Sequence, residues 1–284
     1  SAKLTEILDY LCRHREFRLR NWILITEGTA SAMLTAQPEL EQTMAIELDN
    51  IIENTSNRVS KGAFADLKEV INAVISPGKD VITGRIELIK GGLEDLSKNS
   101  LKKTDKSFRL HGAAVFSKNR MAGWFEDQET RGYLYIMGKA RLTSIPFSLD
   151  QGEKSEVSVT MVSSKSKIIP KLKAGQLSFR VEITANGELI ELHQYQELTP
   201  EMLKILETKV AQTIKKEAEM AVAKAQELNA DIFGLGEKVY HKYPSYWKEI
   251  QDNWREYYAH LPVEISVQAT IHHTGMLTNP IKAR

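Results

Sequence analysis

Apolar positions recur along the chain with two periods, helical and alternating, and the changes between them divide it into three stretches. In the first, Leu4, Ile7, Leu8 and Leu11 follow the i, i+3, i+4, i+7 spacing of a helix, predicted over about residues 3 to 15. Trp22-Ile23-Leu24-Ile25-Thr26 is then a continuous apolar run between Arg20 and Gly28, the pattern of a buried strand. Short helices are predicted from Thr29 to Leu34 and from Pro38 to about Asn57. Another is predicted from Gly62 to Val74, where Phe64, Leu67, Val70 and Ile71 share a face, and Ser76-Pro77-Gly78 ends it. One strand cannot form a sheet, so partner strands are expected to precede residue 1.

In the second stretch Ile86 to Ile89 reads as a strand. Phe108 to Phe116 and Arg120 to Trp124 read as a hairpin with Lys118-Asn119 at its turn. Asp127 to Met137 follows as a helix whose first-turn acids suit the positive end of its dipole. The third stretch carries long alternating segments, Ala140 to Leu149, Glu156 to Ile169 and Leu177 to Ile190. Thr199 then caps a long helix with Pro200 at its first position and one apolar stripe through Leu203, Leu206, Val210, Ile214, Ala218, Ala221, Ala225 and Leu228. Asp231 caps a shorter helix, Pro244 starts another through Trp247 and Trp254, and Val263 to Ile271 alternates again as a final strand. This order predicts an α+β chain of three small domains. Residues 1–85 form an α/β N-terminal domain and 86–139 a small middle domain with hairpin and helix. Residues 140–284 form an antiparallel sheet of about four strands with helices packed on one face.

Composition narrows the partners more than the fold. Among 284 residues, 38 Lys and Arg stand against 37 Asp and Glu, a net charge of +1 that creates no global field for nucleic acid, and none is expected as a partner. The single cysteine, Cys12, rules out an intramolecular disulfide and Cys-rich metal sites, and its position places it on the apolar face of the first helix. No run approaches 18 apolar residues. The first residue is Ser1 rather than methionine, so removal of an export or lipid signal is expected.

Candidate chemistry is sparse. Gly91-Gly92 and Gly234-Leu235-Gly236 lack phosphate-binding spacing, so Gly234 and Gly236 are read as a bend between packed helices. His272-His273 point to opposite faces of a strand and cannot share one ion. Nucleophile motifs are absent, and the acid pairs Glu94-Asp95 and Glu126-Asp127 sit where helix capping or a loop explains them. No catalytic, cofactor or metal residue is therefore expected. Of two basic stretches, Lys98, Lys102, Lys103 and Lys106 with Arg109 are candidates to face anionic headgroups, whereas Lys165, Lys167, Lys171 and Lys173 read as a solvated strand edge. Tyr240, Tyr243, Tyr246, Trp247, Trp254, Tyr257 and Tyr258 make an aromatic group read first as core packing.

Four blocks carry a family resemblance: Ser76-Pro77-Gly78-Lys79-Asp80 before Arg85-Ile86-Glu87-Leu88; Ala113-Ala114-Val115-Phe116 followed by Met121 to Gly132; Ala225 to Gly236 through Tyr243-Pro244 and Trp247 to Trp254; and His273 to Pro280. In order and spacing they resemble the Ger(x)C family, the C-subunit lipoproteins of spore nutrient-germinant receptors. The beginning departs, since members start with an export signal, a lipidated cysteine and a further segment. The resemblance implies a non-enzymatic subunit, lipid-tethered on the outer-leaflet side of the spore inner membrane. Its partners there would be a multi-spanning transporter-like subunit and a second, ring-forming membrane subunit. Direct capture of the nutrient is the alternative. Gly123, Trp124, Glu129, Arg131 and Gly132 match the signature. Structural roles are expected for them: glycines for the hairpin, Trp124 for packing, Glu129 and Arg131 as neighbours in a loop.

Overall fold

The computed structural model describes residues 4–34, 43–58, 62–90, 106–149, 155–192 and 199–272. Its N-terminal half contains α1 (Leu4–Arg13), β1 (Trp22–Thr26), α2 (Ala30–Met33), α3 (Met44–Arg58), β2 (Ala65–Asp66), α4 (Leu67–Ile75), β3 (Ile82–Lys90), β4 (Lys106–Ser117), β5 (Arg120–Phe125) and α5 (Asp127–Ile136). The five strands form one sheet in the order β2-β1-β3-β4-β5.

The strand β1 is therefore not an orphan. It runs parallel to β3 and antiparallel to β2, so its partners follow it in the chain, against the expectation that they precede residue 1. β2 is two residues long and leaves no pattern, and of β3 only Ile86 to Ile89 is legible, because Gly84 and a buried arginine, Arg85, interrupt its apolar pattern before that point. A boundary at residue 85 falls inside β3, so residues 1–85 and 86–139 share this sheet.

α4 starts at Leu67 rather than Gly62. Glu69 N–H donates to Asp66 Oδ1 at 2.7 Å and Asp66 N–H to Glu69 Oε2 at 3.4 Å, a reciprocal capping box that fixes the first turn. Phe64 precedes that cap and lays its ring where a Cβ on Gly62 or Gly84 would stand, at 2.5 and 2.4 Å. Its helical spacing with Leu67 is coincidental. On α1, Leu4 and Leu8 are buried while Cys12 is exposed, so the cysteine lies off the apolar face. The β4–β5 turn is as expected: Lys118 and Asn119 take φ of 50° and 63°, the left-handed pair of a type I′ turn.

The C-terminal half contains β6 (Thr143–Leu149), β7 (Ser155–Lys173), β8 (Gln176–Leu192), α6 (Pro200–Glu227), α7 (Leu235–Lys242), α8 (Pro244–Ile250), a 3-10 turn (Gln251–Asn253), α9 (Trp254–Ala259) and β9 (Val263–His272). Its sheet runs β6-β7-β8-β9. The first two pairings are antiparallel, but β9 lies parallel to β8 because the chain crosses back over the helices before re-entering the sheet. Period-two alternation is blind to strand direction, so the wholly antiparallel expectation is corrected here. Thr199 caps α6, accepting from Met202 N–H at 3.2 Å. The helix buries Leu206, Val210, Ile214, Ala218, Ala221 and Ala225 completely, against α5 on one side and β9 on the other. The aromatic group divides: Trp247, Trp254 and Tyr258 are core, while Tyr240 and Tyr257 are exposed.

Candidate functional site

The signature segment begins with Gly123 and Trp124 on β5. A Cβ at Gly123 would approach Leu228 Cδ2 to 2.7 Å, so the glycine seats the end of α6 against the hairpin. Trp124 lies under the Arg85 guanidinium, 4.7 Å from ring centroid to Cζ. Arg85 also donates to Glu27 and to Glu126, at 2.5 and 3.2 Å, tying the end of β1 to the start of α5.

Glu129 and Arg131 point to different tasks, which corrects the expected pairing between them. Glu129 reaches back to accept from Glu126 N–H at 2.9 Å and caps α5. Arg131 donates Nε at 3.1 and 3.3 Å to the two carboxylate oxygens of Glu217 on α6, and Nη2 adds a further bond to Oε1. Gly132 is not a hairpin glycine: it stands at the α5–α6 crossing, where a Cβ would come within 2.0 Å of the Glu217 carbonyl oxygen. Of the basic candidates, Lys98, Lys102 and Lys103 lie outside the described residues, and Lys106 opens β4 opposite Lys90.

The fold then brings together two blocks that are about 150 residues apart in sequence. Gly78, with φ of 61°, packs backbone to backbone on Gly236, and Trp247 Cη2 closes the space a Cβ on Gly78 would need, at 2.6 Å. Beside this contact Asp80 and Asp231 exchange two bonds, one between backbones and one from the Asp231 backbone to the Asp80 side chain. Asp80 N–H donates to Asp231 O at 2.9 Å, and Asp231 N–H donates to Asp80 Oδ2 at 2.9 Å. Arg255 on α9 grips Asp80 with both terminal nitrogens, at 3.0 and 2.8 Å. Its Nη1 also reaches Ser117 Oγ and Asn229 O, both at 2.7 Å. Lys118 N–H at the hairpin turn completes the set on Asp80, at 3.3 Å.

The Asp231 carboxylate is buried and accepts from Leu235 N–H, Gly236 N–H and the Trp254 indole, at 2.9, 2.8 and 3.2 Å. It thus bonds the first N–H groups of α7, as a cap set four residues ahead of the helix's first residue. Burial pushes its pKa up to about 7; the nearby Asp80 charge adds to this, and the three donors oppose it.

Chemically this is a joint. Each oxygen of both carboxylates is engaged by donors of the same chain, so Asp80, which borders the neighbouring cleft, meets it with both oxygens already taken. Among the described residues no group of His, Cys, Asp and Glu could hold a metal ion, and no helix is long and apolar enough to cross a membrane. A neighbouring cleft of about 170 Å³, lined by Glu69, Lys79, Tyr133, Lys139 and Ile232, is bridged by Lys139 Nζ on Glu69 at 3.0 Å. Drug-sized ligands usually occupy roughly 300–1,000 Å³.

Sequence reasoning missed Asp80, Arg255 and Glu217 as participants and gave Asp231 only the role of a cap. Glu217 did leave a signal: it falls between Ile214 and Ala221, at i+3 and i−4, within the buried stripe of α6. A carboxylate in that phase needs a partner, and Arg131 is that partner.

The fold and the joint define an α+β protein of two sheets whose most distinctive residues hold the sheets to each other. A family model described as "Spore germination B3/ GerAC like, C-terminal" matches residues 111–275, and one described as a spore germination protein N-terminal domain matches residues 1–88. The chain belongs to this spore germination family. It is 25% identical over 283 residues to spore germination protein KC of Bacillus subtilis (strain 168), covering 97% of this chain and 69% of the relative. It is 26% identical over 276 residues to spore germination protein YndF of the same organism, covering 96% of this chain and 64% of the relative. The crystal structure of the GerBC protein shares the fold, with a TM-score of 0.69 at 14% identity, covering 95% of this chain and 75% of that one.

Proposed function

We propose that the chain is part of a C-type subunit of a spore germinant receptor, and that it works by contacts with the receptor's membrane subunits rather than by catalysis. In this reading the whole protein is tethered by lipid to the outer-leaflet side of the spore inner membrane. The observation that supports it is the use made of the signature. Arg131 and Gly132 join α5 to α6, Glu129 caps α5, and Asp80 and Asp231 of the companion blocks bind each other, as expected of a body that must present surfaces in a fixed relation. An enzyme of this size would converge such groups on a cleft with free valences.

The test is co-purification of the full-length lipidated protein with its membrane subunits, followed by cross-linking. Recovery of discrete cross-links to those subunits is the expected result, and a chain that never co-purifies sinks the reading. Capture of the nutrient itself is the second reading, and the cleft bridged by Lys139 and Glu69 is the observation in its favour. Calorimetry with amino acids and sugars separates the two: a saturable micromolar response would move the function to capture.

A further inference from the structure

We propose that residues 7–20 form a surface that lies against an anionic phospholipid headgroup layer, a contact separate from any covalent lipid. α1 turns Leu4 and Leu8 inward and leaves Ile7 and Tyr10 outside, 48% and 62% exposed. Every residue from Cys12 to Asn21 is exposed. That run carries Arg13, Arg15, Arg18 and Arg20 against the single acid Glu16, an excess of three positive charges in a chain whose total is +1, and Asp9 on α1 brings the excess over residues 7–20 to two. Phe17 and Leu19 alternate with the arginines and are 42% and 54% exposed.

The segment has a defined shape. Leu67 and Lys68 N–H at the start of α4 donate to Asn21 O and Leu19 O, at 2.9 and 3.0 Å, and Asn21 N–H closes a turn on Arg18 O at 3.0 Å. The rings of Tyr10, His14 and Phe17 stand in succession, each pair 5.6 Å apart. Arg13 pairs with Asp9 on the open helix surface, and Arg15, Arg18 and Arg20 have no ion pair among the described residues.

The chemistry favours lipid over an acidic protein. A protein interface gathers its apolar residues into a buried centre with charge at the rim. Here single apolar side chains stand between guanidinium groups, so each can sink between headgroups while its neighbours hold phosphates at the level of the surface. Nucleotide chains would be drawn by the same charge, but the near-neutral remainder of the molecule gives them no track to follow.

The lipid-free chain is mixed with vesicles of phosphatidylglycerol and phosphatidylcholine, or of phosphatidylcholine alone, and separated by flotation. Salt-sensitive binding to the anionic vesicles only is expected. Neutralising Arg15, Arg18 and Arg20 with glutamine weakens it by about fivefold per residue, on the order of a hundredfold together. Phe17→Ser with Leu19→Ser weakens it several-fold and leaves the salt dependence unchanged. All five positions are exposed, so melting curves should match the parent; a variant that melts early is replaced by its single substitutions. Equal binding to phosphatidylcholine, a triple variant that binds like the parent, or a parent that ignores both vesicles overturns the proposal, the last result pointing the patch to an acidic protein. Neither receptor subunits nor a covalent lipid take part, so the outcome is independent of the receptor reading.

Discussion

Gly132→Ala sets two physical effects against each other, and the structure decides the sign. In an exposed helix the change would stabilise by roughly 1 kcal/mol, because alanine leaves less backbone freedom to lose. At the α5–α6 crossing the new methyl would meet the Glu217 carbonyl oxygen at 2.0 Å, its carbon at 2.5 Å and Ala221 Cβ at 2.9 Å. Ordinary contact requires the helices to part by roughly 1.5 Å. Both are backbone-rigid there, and α6 is anchored by the fully buried Ala218, Ala221 and Ala225 on the same stripe. Overpacking of this kind costs about 1–3 kcal/mol, and a clash with backbone belongs at the upper end. The expected net effect is a loss of about 2 kcal/mol, or roughly 4–8 °C in Tm for a body of this size. Urea unfolding followed by circular dichroism and tryptophan fluorescence measures it. Gly123→Ala is the control, since there the three atoms nearest the methyl all belong to the Leu228 side chain, which can rotate away. If Gly132→Ala is as stable as the parent, the close approach of α5 and α6 is not what that glycine serves.

The joint and the α5–α6 ion pair carry expectations of their own. Asp231 holds its proton up to about pH 7 when folded and releases it near 3.8 when unfolded, so the folded state carries the extra proton in between. Stability attributable to this group therefore falls as pH rises through that window, by at most about 4 kcal/mol. The difference in urea midpoint between the parent and Asp231→Asn, compared at pH 5 and pH 8, isolates it, and a difference that does not change with pH contradicts the assignment. Arg255→Lys replaces a fork that serves Asp80, Ser117 and Asn229 with a point charge, and should lower stability by about 2–3 kcal/mol; a loss below about 0.5 kcal/mol would mean the fork is dispensable. Arg131→Met should cost more than Glu217→Gln, because the first strands a buried carboxylate while the second leaves an arginine that reaches water; the reverse order in unfolding midpoints refutes it.

What could be read from sequence was whatever is encoded locally. The hairpin turn at Lys118-Asn119, the Thr199-Pro200 helix start and the alternation of β9 each depend on residues within a few positions, and each is where the pattern put it. The pairing of β1 with β3 and the parallel docking of β9 on β8 depend on chain paths between distant segments, which period alone does not carry. The joint is of the second kind. Asp80, Ser117, Asp231 and Arg255 are each unremarkable among their sequence neighbours, and only the fold makes one hydrogen-bonded group of them. Yet the blocks by which the family resemblance was recognised, Ser76 to Asp80, Ala225 to Gly236 and Trp247 to Trp254, are the segments that meet there. That convergence gives the resemblance a physical content. The shared residues include those that bind the five-stranded sheet to the helical layer of the second sheet, so a substitution in one block should be sensed through the other two.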